Sequence, residues 1–311
     1  MNASFLVERQ RKELLMFSRA LSASINGIDA FIISVEADVS NGLPVFDLVG
    51  YLGSEVREAR ERVRISIKNS GFELEPKRIT VNLSPADVRK GGTAFDLPIA
   101  VAILTAFGFT HQKNLENTLF IGEVSLNGDI KRVNGVLPMV YTAFKQGFNR
   151  CFVPQSNVNE AAIIQGIDVY GVRSIRQLIS FLNNEIILEP HFVNISDYSF
   201  KEKDRESLDF SDVIGQNIAK AGLQIASCGM HNILMIGPPG SGKTMLAKRM
   251  PTIMPELTLE ESLDISKIYS ISGLLSNNQY LINSRPFRSP HHTITRSALT
   301  GGGRIPVPGE I

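Results

Sequence analysis

Apolar and polar side chains alternate in two runs near the start of the chain. Leu21, Ala23 and Ile25 mark the first, and Phe31, Ile33, Val35, Ala37 and Val39 the second. A period of two places each set on one face of a strand. Asn26-Gly27 separates the runs and Asn41-Gly42 follows the second. Asn-Gly readily supplies the positive φ angles of a tight turn, so a hairpin is predicted at each. From Ser54 the period lengthens. Val56, Ala59, Val63 and Ile67 form a helical stripe that Ser54 opens and Gly71 closes, with Arg60, Arg64 and Lys68 on another face. Lys77–Leu83 reads as a strand. The longest apolar stretch, Leu97 to Phe109, has 13 residues, which suits a buried helix and is too short to cross a bilayer. Asn127-Gly128 turns between two more short strands. Helix–strand pairs (Leu137–Gln146 with Cys151–Val153, Asn159–Gln165 with Val169–Val172) and a helix over Ser174–Leu182 complete an α/β domain with antiparallel hairpins.

Patterning lapses after Asn184. Residues 186–207 contain Pro190 and the charged run Lys201-Glu-Lys-Asp-Arg-Glu206, and read as a linker. The expected organisation is an extension over 1–15, a first domain over 16–185, the linker, and a second unit over 208–311. Met16 stands where the alternation begins, as a second start would. The charges of the first fifteen residues fall inside and after their apolar ones, so no signal peptide is read there. A length of 311 residues accommodates two domains, each with its own core. With 32 basic and 31 acidic side chains the net charge is +1, which excludes a wholesale basic coat for nucleic acid and an acidic tail. Cys151 and Cys228, far apart in sequence, make neither a disulfide scaffold nor a thiolate zinc site, which fits a reducing, intracellular setting. With an apolar stretch of only 13 residues, no membrane partner is expected.

One motif carries chemistry directly. Gly237-Pro-Pro-Gly-Ser-Gly-Lys-Thr244 matches G-x-x-x-x-G-K-[ST]. Asn232–Ile236 reads as a buried strand leading in, and Met245–Met250 as a helix leading out. Gly237, Gly240 and Gly242, with Pro238, Pro239 and Ser241 between them, let backbone N–H groups cradle a phosphate. Lys243 is expected to bridge the β- and γ-phosphates of ATP, and Thr244 to offer its hydroxyl to Mg²⁺. Upstream, the apolar pair Val213-Ile214 before Gly215 is a candidate platform for the adenine ring, or an ordinary helix lead-in.

Further motifs narrow the class. Leu259-Glu-Glu-Ser-Leu-Asp-Ile-Ser-Lys-Ile-Tyr-Ser270, Arg285-Pro-Phe-Arg-Ser-Pro-His-His-Thr293, Ser297-Ala-Leu-Thr-Gly-Gly-Gly303 and Pro308-Gly-Glu-Ile311 resemble the magnesium-chelatase-like AAA+ ATPases of the ComM (YifB) family. Val56–Arg64, Ile79–Lys90 and Ala94–Ala100 resemble the family's N-terminal domain. The resemblance implies a Lon-protease-like α+β domain followed by the first part of an AAA+ P-loop domain. It also implies that the Walker B strand would follow Pro308-Gly-Glu-Ile311. The expectation is therefore a chain truncated before Walker B, without sensors, arginine finger or any catalytic residue, that binds ATP and Mg²⁺ but does not turn ATP over alone. The parent it implies is a cytoplasmic homo-oligomeric ring, a motor on branched or recombining DNA in transformation. In the family the segment around His291-His292 and the glycine-rich loop resemble a pore-facing insert, which makes Arg296 and Arg304 candidate DNA contacts. Alternatives are a subunit driving Mg²⁺ insertion into a porphyrin, and a Lon-related protein-binding module.

Peptidase activity is not expected. By the same resemblance, Asp96 and Leu137 occupy the serine and lysine positions of a Lon-type dyad, and a carboxylate and a leucine cannot form it. Asp96 is read as capping its helix. Arg60, Arg64 and Lys68, with Arg89-Lys90, are read either as phosphate contacts or as a solvated face paired with Glu58 and Glu61. His291-His292 is not read as a metal pair, since adjacent side chains point apart in most backbones and no further ligand has the spacing.

Overall fold

The computed structural model describes residues 16–194, 208–275, 280–302 and 308–310. Residues 1–15 and the charged part of the linker lie outside them, as does Arg304. Two compact units emerge. The first comprises the chain up to Val193 together with Lys267–Tyr280, and the second comprises Asn194–Ser266 and the chain from Leu281 onwards.

The first unit is built on a seven-stranded mixed sheet. β1 (Phe17–Asn26) and β2 (Asp29–Ser40) form the long antiparallel hairpin that the alternation and Asn26-Gly27 predict, with Gly27 at φ +65°. β3 (Phe46–Val49) and β4 (Arg78–Ser84) extend it on one side, and β5 (Thr118–Phe120), β8 (Arg150–Pro154) and β9 (Asp168–Val172) on the other. The order is β3-β4-β2-β1-β5-β8-β9, antiparallel at β4–β2 and β2–β1 and parallel elsewhere. β6 (Glu123–Val124) and β7 (Ile130–Lys131) form a separate small hairpin around Asn127-Gly128.

One expected turn is absent. Asn41-Gly42 closes no hairpin, because β4 takes the free edge of β2 and β3 joins the sheet only through β4, parallel to it. The chain between β3 and β4 is the crossover that a parallel pair needs. It contains α1 (Ser54–Asn69), whose buried residues are the predicted Val56, Ala59, Val63 and Ile67 together with Ser66. Ser54 does not cap α1. Gly53 holds the cap position and donates its N–H to the Lys90 carbonyl at 2.8 Å, while Gly71 at φ +85° ends the helix as expected.

α2 (Asp96–Ala106) is buried at all eleven positions and packs against β1, β2 and α1. α3 (Val136–Lys145) and α5 (Ile175–Leu182) match their predicted spans closely. α4 (Val158–Ala161) is shorter than the sequence suggests, because the chain tightens into a turn with Ile164 N–H bonded to the Ala161 carbonyl.

The second unit contains α6 (Asn217–Gly229), α7 (Lys243–Arg249), α8 (Leu259–Ile271, its last turn counting with the first unit) and α9 (Arg296–Thr300). Its small core gathers Phe210, Val213, Leu223 and Leu246. The expected strand over Asn232–Ile236 is not formed, and Leu234 and Ile236 are 82% and 89% exposed. A strand exists only by pairing, and no named strand lies in the described residues of this unit.

Candidate phosphate-binding site

The phosphate loop follows that extended segment and leads into α7. Gly240 and Gly242 sit at φ +77° and +85°, a region costly for any residue with a Cβ, so glycine is required at both. At Gly237 a Cβ would stand 3.1 Å from Ser241 Oγ. The loop is curled around the Lys243 ammonium, which donates to the Gly237 carbonyl at 2.8 Å, the Pro238 carbonyl at 2.7 Å and Ser241 Oγ at 3.2 Å. Thr244 is exposed, as are Pro238, Pro239 and Gly240. A half-buried ammonium gathered into a glycine-rich bend beside exposed hydroxyls fits a nucleotide phosphate and its Mg²⁺, with Lys243 as the point charge and Thr244 as the metal-side hydroxyl.

The preceding segment is tied to this loop. Gln216, at φ +55° and following Gly215 at φ +70°, donates its side-chain amide to the Ser241 carbonyl at 3.2 Å. Lys220 donates to the Val213 carbonyl. Arg249 donates to the Asp209 carbonyl at 3.0 Å and lies 3.5 Å from Asp212. The two members of the apolar pair part company here. Val213 is buried in the core of the unit, whereas Ile214 is 94% exposed. Sequence reasoning passed over Gln216, Lys220 and Arg249, whose contacts depend on how the chain folds back on itself.

Among the described residues, no hydrogen bond or ion pair joins the candidate DNA contact Arg296 to the loop. Arg296 is exposed at the first position of α9, where Thr295 caps the helix by accepting from Ala298 N–H at 3.2 Å. Arg304 lies outside the described residues. The rings of His291 and His292 do not point apart. Their centroids are 4.1 Å apart, and His291 Nδ1 is 2.7 Å from Thr293 Oγ1. No group of three or more metal-ligating side chains occurs among the described residues.

In the first unit Asp96 has a different role from the one expected. It is fully buried, and instead of capping α2 it accepts from Arg62 Nε at 2.9 Å, Arg62 Nη2 at 3.0 Å and Val124 N–H at 3.2 Å. The guanidinium, 34 residues away, outcompetes the helix's own amides because it offers charge and a two-pronged fit. Burial pushes the Asp96 carboxyl above the ordinary carboxylate range, and the Arg62 hydrogen bonds and charge oppose that rise. Leu137 is buried as well. On α1, Glu61 serves both Arg60 at 3.6 Å and Arg64 at 2.7 Å. Lys90 is not on that face. It is fully buried with its ammonium on the Pro85 carbonyl, and burial lowers its pKa.

Two family models match the chain: subunit ChlI of Mg-chelatase over residues 35–157, and magnesium chelatase, subunit ChlI, over 209–311. Competence protein ComM of Haemophilus influenzae is 40% identical over 301 residues, 96% of this chain and 57% of that protein. The chain belongs to the magnesium-chelatase-like ComM family. The uncharacterized protein Rv2897c of Mycobacterium tuberculosis is also 40% identical, over 93% of this chain and 56% of its own length. A Lon protease of Mycolicibacterium smegmatis is 25% identical over 172 residues, 52% of this chain and 22% of the protease. The α/β architecture agrees with these likenesses. This ComM-family chain spans just over half the length of its ComM and mycobacterial relatives. No described helix is long and apolar enough to cross a membrane.

Proposed function

We propose that this chain is the Lon-like domain and the nucleotide-binding half of an AAA+ ATPase, and that the loop Gly237–Thr244 binds ATP with Mg²⁺. The observation that carries the reading is the ammonium of Lys243, held by three loop oxygens inside a bend that needs left-handed Gly240 and Gly242. On binding, Lys243 exchanges those oxygens for phosphate oxygens, while the exposed Thr244 hydroxyl meets the metal. Ile214, exposed beside the Gln216 link to the loop, is the better of the two candidates for contact with the base. Val213 serves through the core.

For the whole protein the reading is a homo-oligomeric ring acting on DNA. The name of its Haemophilus relative, a competence protein, supports a role in taking up or integrating DNA, with Arg296 and Arg304 as candidate contacts. A second reading follows from the family descriptions, which name magnesium chelatase, and would make the ring drive metal insertion into a porphyrin. Peptidase activity finds no support. The two dyad positions hold a carboxylate locked to Arg62 and a buried leucine.

The test starts with binding of a fluorescent ADP analogue to this chain. Saturable, Mg²⁺-dependent binding that Lys243→Ala abolishes without changing the thermal melt is expected. Equal binding by wild type and variant would overturn the assignment of the loop. Turnover by the complete protein, stimulated by forked DNA and not by a porphyrin, would then separate the two readings.

A further inference from the structure

Glu160 is a buried carboxylate, 4% exposed, with no ion pair among the described residues. Its Oε1 accepts the Leu137 N–H at 3.1 Å and the Ser270 hydroxyl, and its Oε2 accepts the Asn157 amide at 3.0 Å. Asn157, 1% exposed, is itself fixed from both ends of its amide. It accepts Val133 N–H at 3.1 Å and donates to the Val133 carbonyl at 2.9 Å. The carboxylate is therefore oriented by Leu137 N–H on the oxygen it shares with Ser270 and by the Asn157 amide on the other. A buried carboxylate bound only to neutral donors is costly unless each donor is held in place, and its hydrogen bonds are roughly twice as strong as neutral ones.

Ser270 lies in the stretch Lys267–Tyr280, which counts with the first unit. The same stretch is gripped at further points. Gly135 N–H donates to the Ser270 carbonyl at 3.0 Å, and Arg132 donates to the Leu275 carbonyl at 2.8 Å. Lys267 stands 3.9 Å from the centre of the Tyr141 ring. Gly273, at φ +68°, lies so close to Asn134 that a Cβ would fall 2.8 Å from the amide nitrogen.

We propose that Glu160 and Asn157 form a docking socket whose occupant is this chain's own segment Lys267–Leu275, with Ser270 and Gly273 as the residues that select it. The socket includes the position that the Lon resemblance aligns with a catalytic lysine. Leu137 contributes there through its backbone N–H alone. The site thus recognises a small hydroxyl and a close backbone, where a protease would present a base.

Hydrogen exchange on the full chain tests this, comparing wild type with Ser270→Ala, Glu160→Ala and the two combined. In wild type, amides of 267–275 and Gly135 exchange slowly. In either variant they exchange about tenfold faster or more, while β1 and β2 stay protected and the double variant is no faster than Glu160→Ala. Exchange of 267–275 at the wild-type rate in Ser270→Ala, or at the unprotected rate in wild type, overturns the proposal. If Glu160→Ala unfolds the sheet, Ser270→Ala decides alone, since it removes a single hydroxyl from the segment.

Discussion

Replacing Arg62 with methionine isolates the buried ion pair of the first unit. Asp96 is wholly buried, and the Arg62 side chain is 23% exposed. Arg62 supplies two of the three hydrogen bonds recorded for the carboxylate, so the variant leaves it with the Val124 N–H. Removing one partner of a buried pair costs about 3–5 kcal/mol, because the other charge remains buried and uncompensated. The loss should depend on pH. Burial already raises the Asp96 pKa, and Arg62 is the main influence holding it down. Without Arg62 it rises further. A folded-state acid with a raised pKa binds its proton more tightly than the unfolded chain does, so stability falls as pH climbs from the unfolded to the folded value. The variant is therefore weakest above the raised Asp96 pKa and recovers part of its stability as pH falls through it and the carboxyl takes up a proton. Asp96→Asn is milder, at about 1–3 kcal/mol, since Arg62 is partly exposed and lies 3.8 Å from Glu58. The chain has no tryptophan, so urea unfolding followed by circular dichroism is the assay, with hydrogen exchange of β1 and β2 assigning the transition to the first unit. A loss below about 1 kcal/mol at the higher pH, or one that ignores pH, would refute the reasoning.

Gly135→Ala should destabilise the first unit by about 1–2 kcal/mol in the same assay, because the backbone there is left-handed, and it also obliges the Ile25 side chain to move. Gly135 sits at φ +77°, and a Cβ would overlap the end of Ile25 at 1.9 Å. The two cysteines should separate cleanly under alkylation of the native chain followed by mass spectrometry. Burial drives the Cys151 thiol far above its ordinary range while Cys228 is exposed, so Cys228 is labelled and Cys151 stays silent until denaturant is added. Prompt labelling of Cys151 would contradict the burial of β8.

How far the sequence could be read depends on the range of each interaction. The β1–β2 hairpin, the α1 stripe and the phosphate loop are local patterns, each complete within one short continuous run of chain. Asn41-Gly42 carried the same turn signal as Asn26-Gly27. What distinguishes them is whether β2 is free to accept the next strand, and β4, arriving from Arg78 onwards, has taken that edge. Asp96 at the head of an apolar helix is indistinguishable from a cap until Arg62 is brought across from α1. Val213 and Ile214 are equally apolar neighbours, and only the core around Phe210 and Leu246 chooses between them. Leu234 and Ile236 carry the composition of a strand without a neighbour to make them one.

α2 has no wet side, and that changes what its few polar atoms are for. An ordinary surface helix is oriented about its axis by the contrast between its greasy and charged flanks. Here every flank is greasy, and close packing alone tolerates many permutations of Leu, Ile, Val and Ala. The angular setting must come from elsewhere. The Asp96 carboxylate, engaged by Arg62 and Val124, pins one end, and the Ser18 hydroxyl donating to the Ala102 carbonyl at 2.5 Å pins the middle. These contacts work as a key in a slot. The aliphatic residues of this helix can drift as a group, but the key cannot be moved one position along without turning the whole cylinder.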